Sequence, residues 1–208
     1  MNQASDKPSP STAGADRASL GRYLVVVSGP SGAGKTSICR AVAERLGLPI
    51  STSVTTRPPR EGEVDGRDYH FVTEDVFRRR IRDGRFVEWA EVFGRLYGTP
   101  VDEVERAREA GDLLLLEIDV QGGRQVKRQF PEAFAILVLP PEPEVLRPRL
   151  MGRGTDSPEE IQRRLEKAAQ EVEAARDAGC YDVEVVNDRL ENAVQRVVEW
   201  LQVRRNQV

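Results

Sequence analysis

The chain has 208 residues, 39% hydrophobic and 31% charged, which suits one globular domain with a sizeable core and room for inserted subdomains. Its formal net charge of −3 gives no bulk attraction to nucleic acid or to an anionic membrane, so an anionic ligand has to be met by local groups. Two cysteines, Cys39 and Cys180, and one histidine, His70, argue against a Cys/His zinc cluster or a Ser/His/Asp triad, and no apolar stretch approaches the ~18 residues of a membrane span.

Residues 1–19, MNQASDKPSPSTAGADRAS, are rich in Ser, Ala, Pro and Asp and lack large apolar side chains, the composition of a disordered tail. They contain no hydrophobic signal region, so the expected location is cytoplasmic, with both thiols reduced and structural and with neither nucleic acid nor membrane as partner. Val25, Val26 and Val27 then form a β-branched run suited to a buried parallel strand, which stops at Ser28. The eight residues that follow, Gly29, Pro30, Ser31, Gly32, Ala33, Gly34, Lys35 and Thr36, fit GxxxxGK(S/T). In that pattern the glycines let backbone N–H groups close around phosphate oxygens, and the next helix adds its positive end. Lys35 is placed to reach the β and γ phosphates and Thr36 to ligate Mg²⁺. Ile38, Ala41, Val42 and Leu46 mark the helix, which ends near Gly47, so the motif stands in the strand–helix context it needs. It predicts nucleotide binding but does not name a second substrate.

Residues 51–100 break the pattern: strand-like pieces such as DYHFV and FVEWAEVF are too irregular for a βα unit. Thr99 is expected to cap a helix with Pro100 at its first position, Val101, Val104 and Ala107 on one face, and Gly111 after its end. Leu113 to Ile118 and AFAILVL, 133–139, read as two further buried strands, with His70 a strand residue in the middle region. Between 140 and 172, Ser157 and Glu160 form a capping box around Pro158, and Ile161, Leu165, Ala168 and Val172 give a helix one apolar stripe. YDVEVV is a last strand, and Leu190, Val194, Val197, Val198 and Leu201 define the closing helix. The alternation predicts an α/β fold of P-loop NTPase type, a parallel sheet flanked by helices. Its core would be 20–50, 101–139 and 173–208, with the ligand at the carboxyl ends of the strands. The segments 51–100 and 140–172 would lie over that edge. Two excursions above one phosphate loop suit a kinase that closes over two substrates and keeps water from accepting the phosphoryl group.

In STSVTTRPPREGEVDGRDYHFV, Arg57 and Arg60 are three apart with prolines between them, and Tyr69 follows a glycine-rich turn. Forked guanidiniums suit a phosphate; a solvated basic loop is the competing reading. This stretch, the phosphate loop, FVEWAEVFGRLYGTP, LEIDVQG, GRGTDSPEEIQRRL and VND resemble the guanylate kinase family in order and spacing over about residues 22–204. The resemblance implies a GMP-binding region at 51–100 and a lid at 140–172. It also implies transfer of the ATP γ-phosphate to GMP, and to dGMP, giving ADP and GDP with Mg²⁺ as cofactor.

On the matching residues, the resemblance implies GMP phosphate contacts from Ser53, Arg57, Arg60, Tyr69 and Tyr97, and guanine contacts from Glu88, Thr99 and Asp119. Asp119 either shares the guanine amino group or orients Mg²⁺ beside Thr36. Asn187 of VND falls among the ATP-binding residues, and Arg149, Arg153 and Arg164 match the phosphate-clamping arginines of the lid. Thr99 keeps the hydroxyl of a family serine, and Glu117 stands where some relatives have aspartate. For Glu117 and Asp119 a polar strand end is the competing reading, and for the lid arginines a charged surface. Guanylate-kinase-like modules that bind partner peptides typically lack a working phosphate loop, which is intact here. Related kinases of other phosphorylated acceptors, including a ribose bisphosphate, are disfavoured by Tyr69, Glu88 and Tyr97 together. A homodimer or higher homo-oligomer is compatible with the sequence.

Overall fold

Leu24, Val25, Val26 and Val27 are each at most 1% exposed because the strand they form has protein on both faces. The computed structural model describes residues 19–141 and 158–208, with the backbone alone at 158–161, 164, 167 and 178. After a 3-10 turn, Leu20–Tyr23, come β1 (Leu24–Ser28), α1 (Lys35–Leu46), β2 (Val54–Thr55) and β3 (His70–Phe71). The chain continues through α2 (Glu74–Arg82), β4 (Phe86–Val92), β5 (Arg95–Pro100), α3 (Val101–Ala110), β6 (Leu114–Glu117) and α4 (Val120–Gln129). It closes with β7 (Phe134–Leu139), α5 (Pro158–Ala178), β8 (Val183–Val186) and α6 (Leu190–Arg205).

The main sheet has the order β6-β1-β7-β8, and every neighbouring pair is parallel. Val25 and Val27 point into a cluster with Ile38 and Val42 of α1 and Val194 and Leu201 of α6, whereas Val26 and Leu24 join Val104 of α3 and Val126 of α4 on the other face. Both faces are therefore apolar, which is why the strand reads as a continuous hydrophobic run. Burial of side chains this size contributes roughly 1.5–3 kcal/mol each, so the sheet is a rigid base for whatever its carboxyl ends carry.

The second sheet, β3-β2-β5-β4, is built entirely from residues 54–100. It has its own small core, in which Phe77 and Phe86 stack with centroids 4.5 Å apart beside Val54 and Leu96. The apolar pattern does not reveal α2 in this region, because only Phe77 of that helix is buried. Its signals were at the ends: Thr73 accepts from the Val76 N–H, Glu74 and Asp75 open the helix, and Arg79, Arg80 and Arg82 close it.

Two expectations need correction. Thr99 does not cap the helix after it: Pro100 is the N-cap and α3 starts at Val101. Thr99 lies in β5, paired with Glu88 of β4, and its hydroxyl is taken by that residue's carboxylate. Leu190 is 44% exposed at the first position of α6 and is not part of the stripe that buries Ala193, Val194, Val197, Val198 and Leu201. Ser157 of the expected capping box, the Glu160 and Ile161 side chains, and residues 1–18 lie outside the described residues. Cys39 is buried, Cys180 is half-buried, and both are free thiols. Among the described residues no helix is long and apolar enough to cross a membrane.

Candidate active site

β1 ends at Ser28 and the chain turns through Gly29, Gly32 and Gly34 at φ of 148°, 84° and 94°, a range that side chains rarely adopt. Space excludes a side chain as well. A Cβ on Gly29 would lie 2.1 Å from Val138 O, and one on Gly34 would lie 2.2 Å from Asn187 Nδ2. Asn187, just after β8 and buried, donates from Nδ2 to Ala33 O at 2.8 Å, so it holds the loop from behind. α1 begins at Lys35, so the amides of its first turn, which have no partner within the helix, lie at the end of the same loop.

Lys35 Nζ donates to Gly29 O at 2.7 Å and to Pro30 O at 3.0 Å, so the ammonium arches over the loop. Burial lowers its pKa, and Glu117, Glu171 and Asp119 work in the opposite direction. The Thr36 hydroxyl donates to Glu117 Oε1 at the end of β6. Two residues on, Asp119 caps α4, its Oδ1 accepting from Gly122 N at 2.8 Å. Its second oxygen, Oδ2, is buried without a hydrogen-bond partner, an arrangement that in a folded protein calls for a ligand, ion or water.

Facing the loop is a cavity of about 220 Å³ that runs from Ser31 and Lys35 to the second sheet. Ser53, Arg60, Tyr69 and Tyr97 line it, as do Glu117, Asp119 and alternate residues of β4, namely Glu88, Ala90 and Val92. The period of two brings these β4 side chains to one face. Tyr69 and Tyr97 meet edge to face at 6.0 Å. Glu88 is 4% exposed, and its Oε1 accepts from the N–H and the hydroxyl of Thr99, at 3.1 and 2.7 Å. Burial pushes its carboxyl up to about 7; Asp119 adds to the rise and the Thr99 hydrogen bonds oppose it. Gly122 leaves room here, since a Cβ on it would stand 2.6 Å from Glu88 Oε2.

Of the residues expected at the site, Ser31, Lys35, Ser53, Arg60, Tyr69, Glu88, Tyr97 and Asp119 line this one cavity, and Thr36 lines a neighbouring one with Ser53, Arg60 and Tyr69. Three stand a layer back: Asn187 behind the loop, Thr99 behind Glu88, and Arg57 on Glu63, with its guanidinium 5.3 Å from the Tyr69 ring centre. Arg149 and Arg153 lie outside the described residues; Arg164 is on α5 with its side chain outside them. The sequence by itself marks neither Glu63 nor Gly122. Their roles depend on what a turn and a helix start bring close, and no spacing rule marks them. Tyr181, whose hydroxyl donates to Ser28 Oγ at 3.0 Å beneath the loop, is another such residue.

A family model described as guanylate kinase matches residues 21–204. The chain belongs to the guanylate kinase family. A guanylate kinase of Rubrobacter xylanophilus is 51% identical over 177 residues, which are 85% of this chain and 91% of that protein. One from Thermus thermophilus is 53% identical over 171 residues, 82% of this chain and 76% of the relative. In three dimensions the chain is similar to the crystal structure of guanylate kinase from Anaplasma phagocytophilum, with a TM-score of 0.71 and 32% identity, covering 88% of this chain and 85% of that one. In this chain the glycine loop and the Glu88 cavity face each other across the carboxyl ends of the strands.

Proposed function

We propose that the chain transfers the γ-phosphoryl group of ATP to GMP or dGMP, with the glycine loop holding the donor and the Glu88 cavity holding the acceptor. The observation that carries this reading is a buried carboxylate, Glu88, in the same cavity as the loop lysine, Lys35. Guanine offers two adjacent donors, N1–H and the exocyclic amino group, and a carboxylate accepts both in a charge-assisted pair. Thr99 holds one oxygen of that carboxylate, Oε1, through its N–H and its hydroxyl. Ser53, Arg57, Arg60, Tyr69 and Tyr97 take the acceptor phosphate, in keeping with the family resemblance.

Phosphoryl transfer leaves the protein mainly positioning and charge to supply. An oxygen of the acceptor phosphate, already anionic, attacks the γ-phosphorus; the bond to the β–γ bridging oxygen breaks, and ADP leaves. No general base is needed. Lys35 stands over the donor phosphates, and the resemblance alone assigns Arg149, Arg153 and Arg164 to the moving group. The hydroxyl of Thr36, Glu117 beside it and the unpartnered Oδ2 of Asp119 are hard oxygen donors of the kind Mg²⁺ takes, so Thr36 and Asp119 are proposed to hold it. Bound there, the ion would neutralise charge on the β and γ phosphates. A panel of GMP, dGMP, AMP, UMP and ribose phosphates with ATP tests the assignment. GMP and dGMP should be turned over; equal or better use of AMP or a ribose phosphate would sink it.

The raised Glu88 carboxyl gives a pH prediction. Only the ionised form accepts both guanine donors, so affinity for the base should fall as pH drops through about 7. Guanosine is the right probe, because the GMP phosphate itself titrates near pH 6. Calorimetry should show guanosine binding weakened about tenfold between about pH 8 and about pH 6, as a single titrating group requires. A flat profile would remove Glu88 from the base contact. Folding shows the complementary sign. The folded pKa lies above the ordinary 4.5, so this carboxyl's contribution to stability is full below about 4.5 and is lost as pH rises through about 7.

A further inference from the structure

The turn between Arg57 and Tyr69 folds a carboxylate onto both arginines. Glu63 Oε1 accepts from Arg57 Nη2 at 2.8 Å and Oε2 accepts from Nη1 at 2.9 Å, a two-pronged pair. Oε2 also accepts from the backbone N–H of Arg60 at 2.7 Å, and the Glu63 N–H donates to Arg60 O at 3.1 Å, which closes the turn. Arg57 is fixed on its other sides too. Nη1 donates to Pro58 O at 2.7 Å, and the guanidinium lies 5.3 and 5.8 Å from the ring centres of Tyr69 and Phe71. With side chains only 13% and 19% exposed, the pair is shielded from bulk water, and the Arg57 hydrogen bonds keep the Glu63 carboxyl below its ordinary range.

By charge alone this carboxylate is misplaced, because a negative group beside a phosphate site repels the phosphate. What it supplies is order. A long side chain that must be immobilised by its ligand loses rotational freedom on binding, whereas one already held does not. Arg57 lies against Tyr69, and Arg60 and Tyr69 line the cavity, so fixing Arg57 and the Arg60 backbone fixes this wall.

We infer that Glu63 is a positioning residue for the acceptor phosphate, holding Arg57 and the Arg60 backbone in the arrangement that receives it, and that this ordering outweighs the repulsion its charge adds. The inference rests on the reading of Arg57 and Arg60 as phosphate-binding residues given above. The two effects have opposite signs, which makes them separable. Glu63→Gln keeps the length of the side chain and removes the charge and the two-pronged acceptor. If ordering dominates, calorimetry on the full chain should show GMP binding weakened about tenfold or more, the scale of one charged hydrogen-bonded pair. Guanosine, which has no phosphate, should bind as before. In steady state KM for GMP should rise while KM for ATP and kcat move little. Glu63→Asp, one methylene short but still charged, should fall between wild type and Glu63→Gln.

GMP binding by Glu63→Gln equal to or tighter than wild type would mean that repulsion wins, and the inference falls. Parallel weakening of GMP and guanosine would make Glu63 a prop for the whole region, and the inference falls again. Arg57→Ala separates this from the parent reading. If Arg57→Ala leaves GMP affinity unchanged, the phosphate assignment of Arg57 is what fails; if it weakens GMP while Glu63→Gln does not, that assignment stands and the positioning role is lost. Should Glu63→Gln not fold, the GMP and guanosine comparison on Glu63→Asp decides by the same criteria.

Discussion

Replacing Lys35 with alanine should lower kcat by about 10³-fold or more, the scale found when a group that neutralises transition-state charge is removed. The fold should survive. The loop's path is set by Gly29, Gly32 and Gly34 and by the Asn187 bond to Ala33 O, none of which needs the lysine. What the variant loses in the resting protein is a pair of hydrogen bonds to Gly29 O and Pro30 O, and what it gains is relief from burying an ammonium whose pKa burial already depresses. A net change of about 1 kcal/mol would move Tm by roughly 2–4 °C in a chain of this size. The decisive comparison is therefore activity against melting. Activity within about tenfold of wild type would end the proposed role. A large fall in both would show instead that the Nζ contacts to the carbonyls hold the loop.

The core was legible because a parallel sheet with helices on both faces leaves continuous apolar strands, as at Val25–Val27 and at 133–139. The phosphate loop was legible for a related reason: positive φ at Gly29 and Gly34, with Val138 O and Asn187 Nδ2 where side chains would go, admits almost no other residue. The middle region was harder. α2 buries a single large side chain, and β5 hides Thr99 in front of a proline that looks like the start of a helix. There, local propensity and tertiary pairing point different ways, and pairing wins because the Thr99 N–H and hydroxyl both bond to Glu88. Glu63 and Gly122 were illegible for a plainer reason. A carboxylate in a turn and a glycine in a helix have many meanings, and only the close approach of Arg57 in one case and of Glu88 Oε2 in the other selects among them.

Glu88→Ala should lower kcat/KM for GMP at least about 10²-fold while ATP affinity barely changes, because a charged acceptor for two guanine donors is lost and the donor loop is untouched. The same carboxylate explains the rejection of AMP: adenine presents an acceptor at N1, and setting that lone pair against a buried carboxylate leaves the charge unsatisfied. Stability runs a different course. The Thr99 hydroxyl, fully buried, loses its acceptor, which costs about 1–3 kcal/mol. Against this, above pH 7 the variant no longer carries a buried carboxylate whose ionisation is itself unfavourable. The two terms oppose each other, so Tm at about pH 8 should shift less than the loss of one buried hydrogen bond implies, whereas at about pH 5, where wild-type Glu88 is protonated, the full loss should appear. Glu88→Gln sharpens the test. It keeps the volume and an acceptor for Thr99, but it turns an amide N–H toward the N–H edge of guanine. GMP use should therefore fall about as far as in the alanine variant with Tm preserved. If Glu88→Gln used GMP as well as wild type, or if affinity for ATP and GMP fell together in Glu88→Ala, Glu88 would be a structural residue and the base contact would have to come from Asp119, which approaches the same face of Gly122 and lines the same cavity.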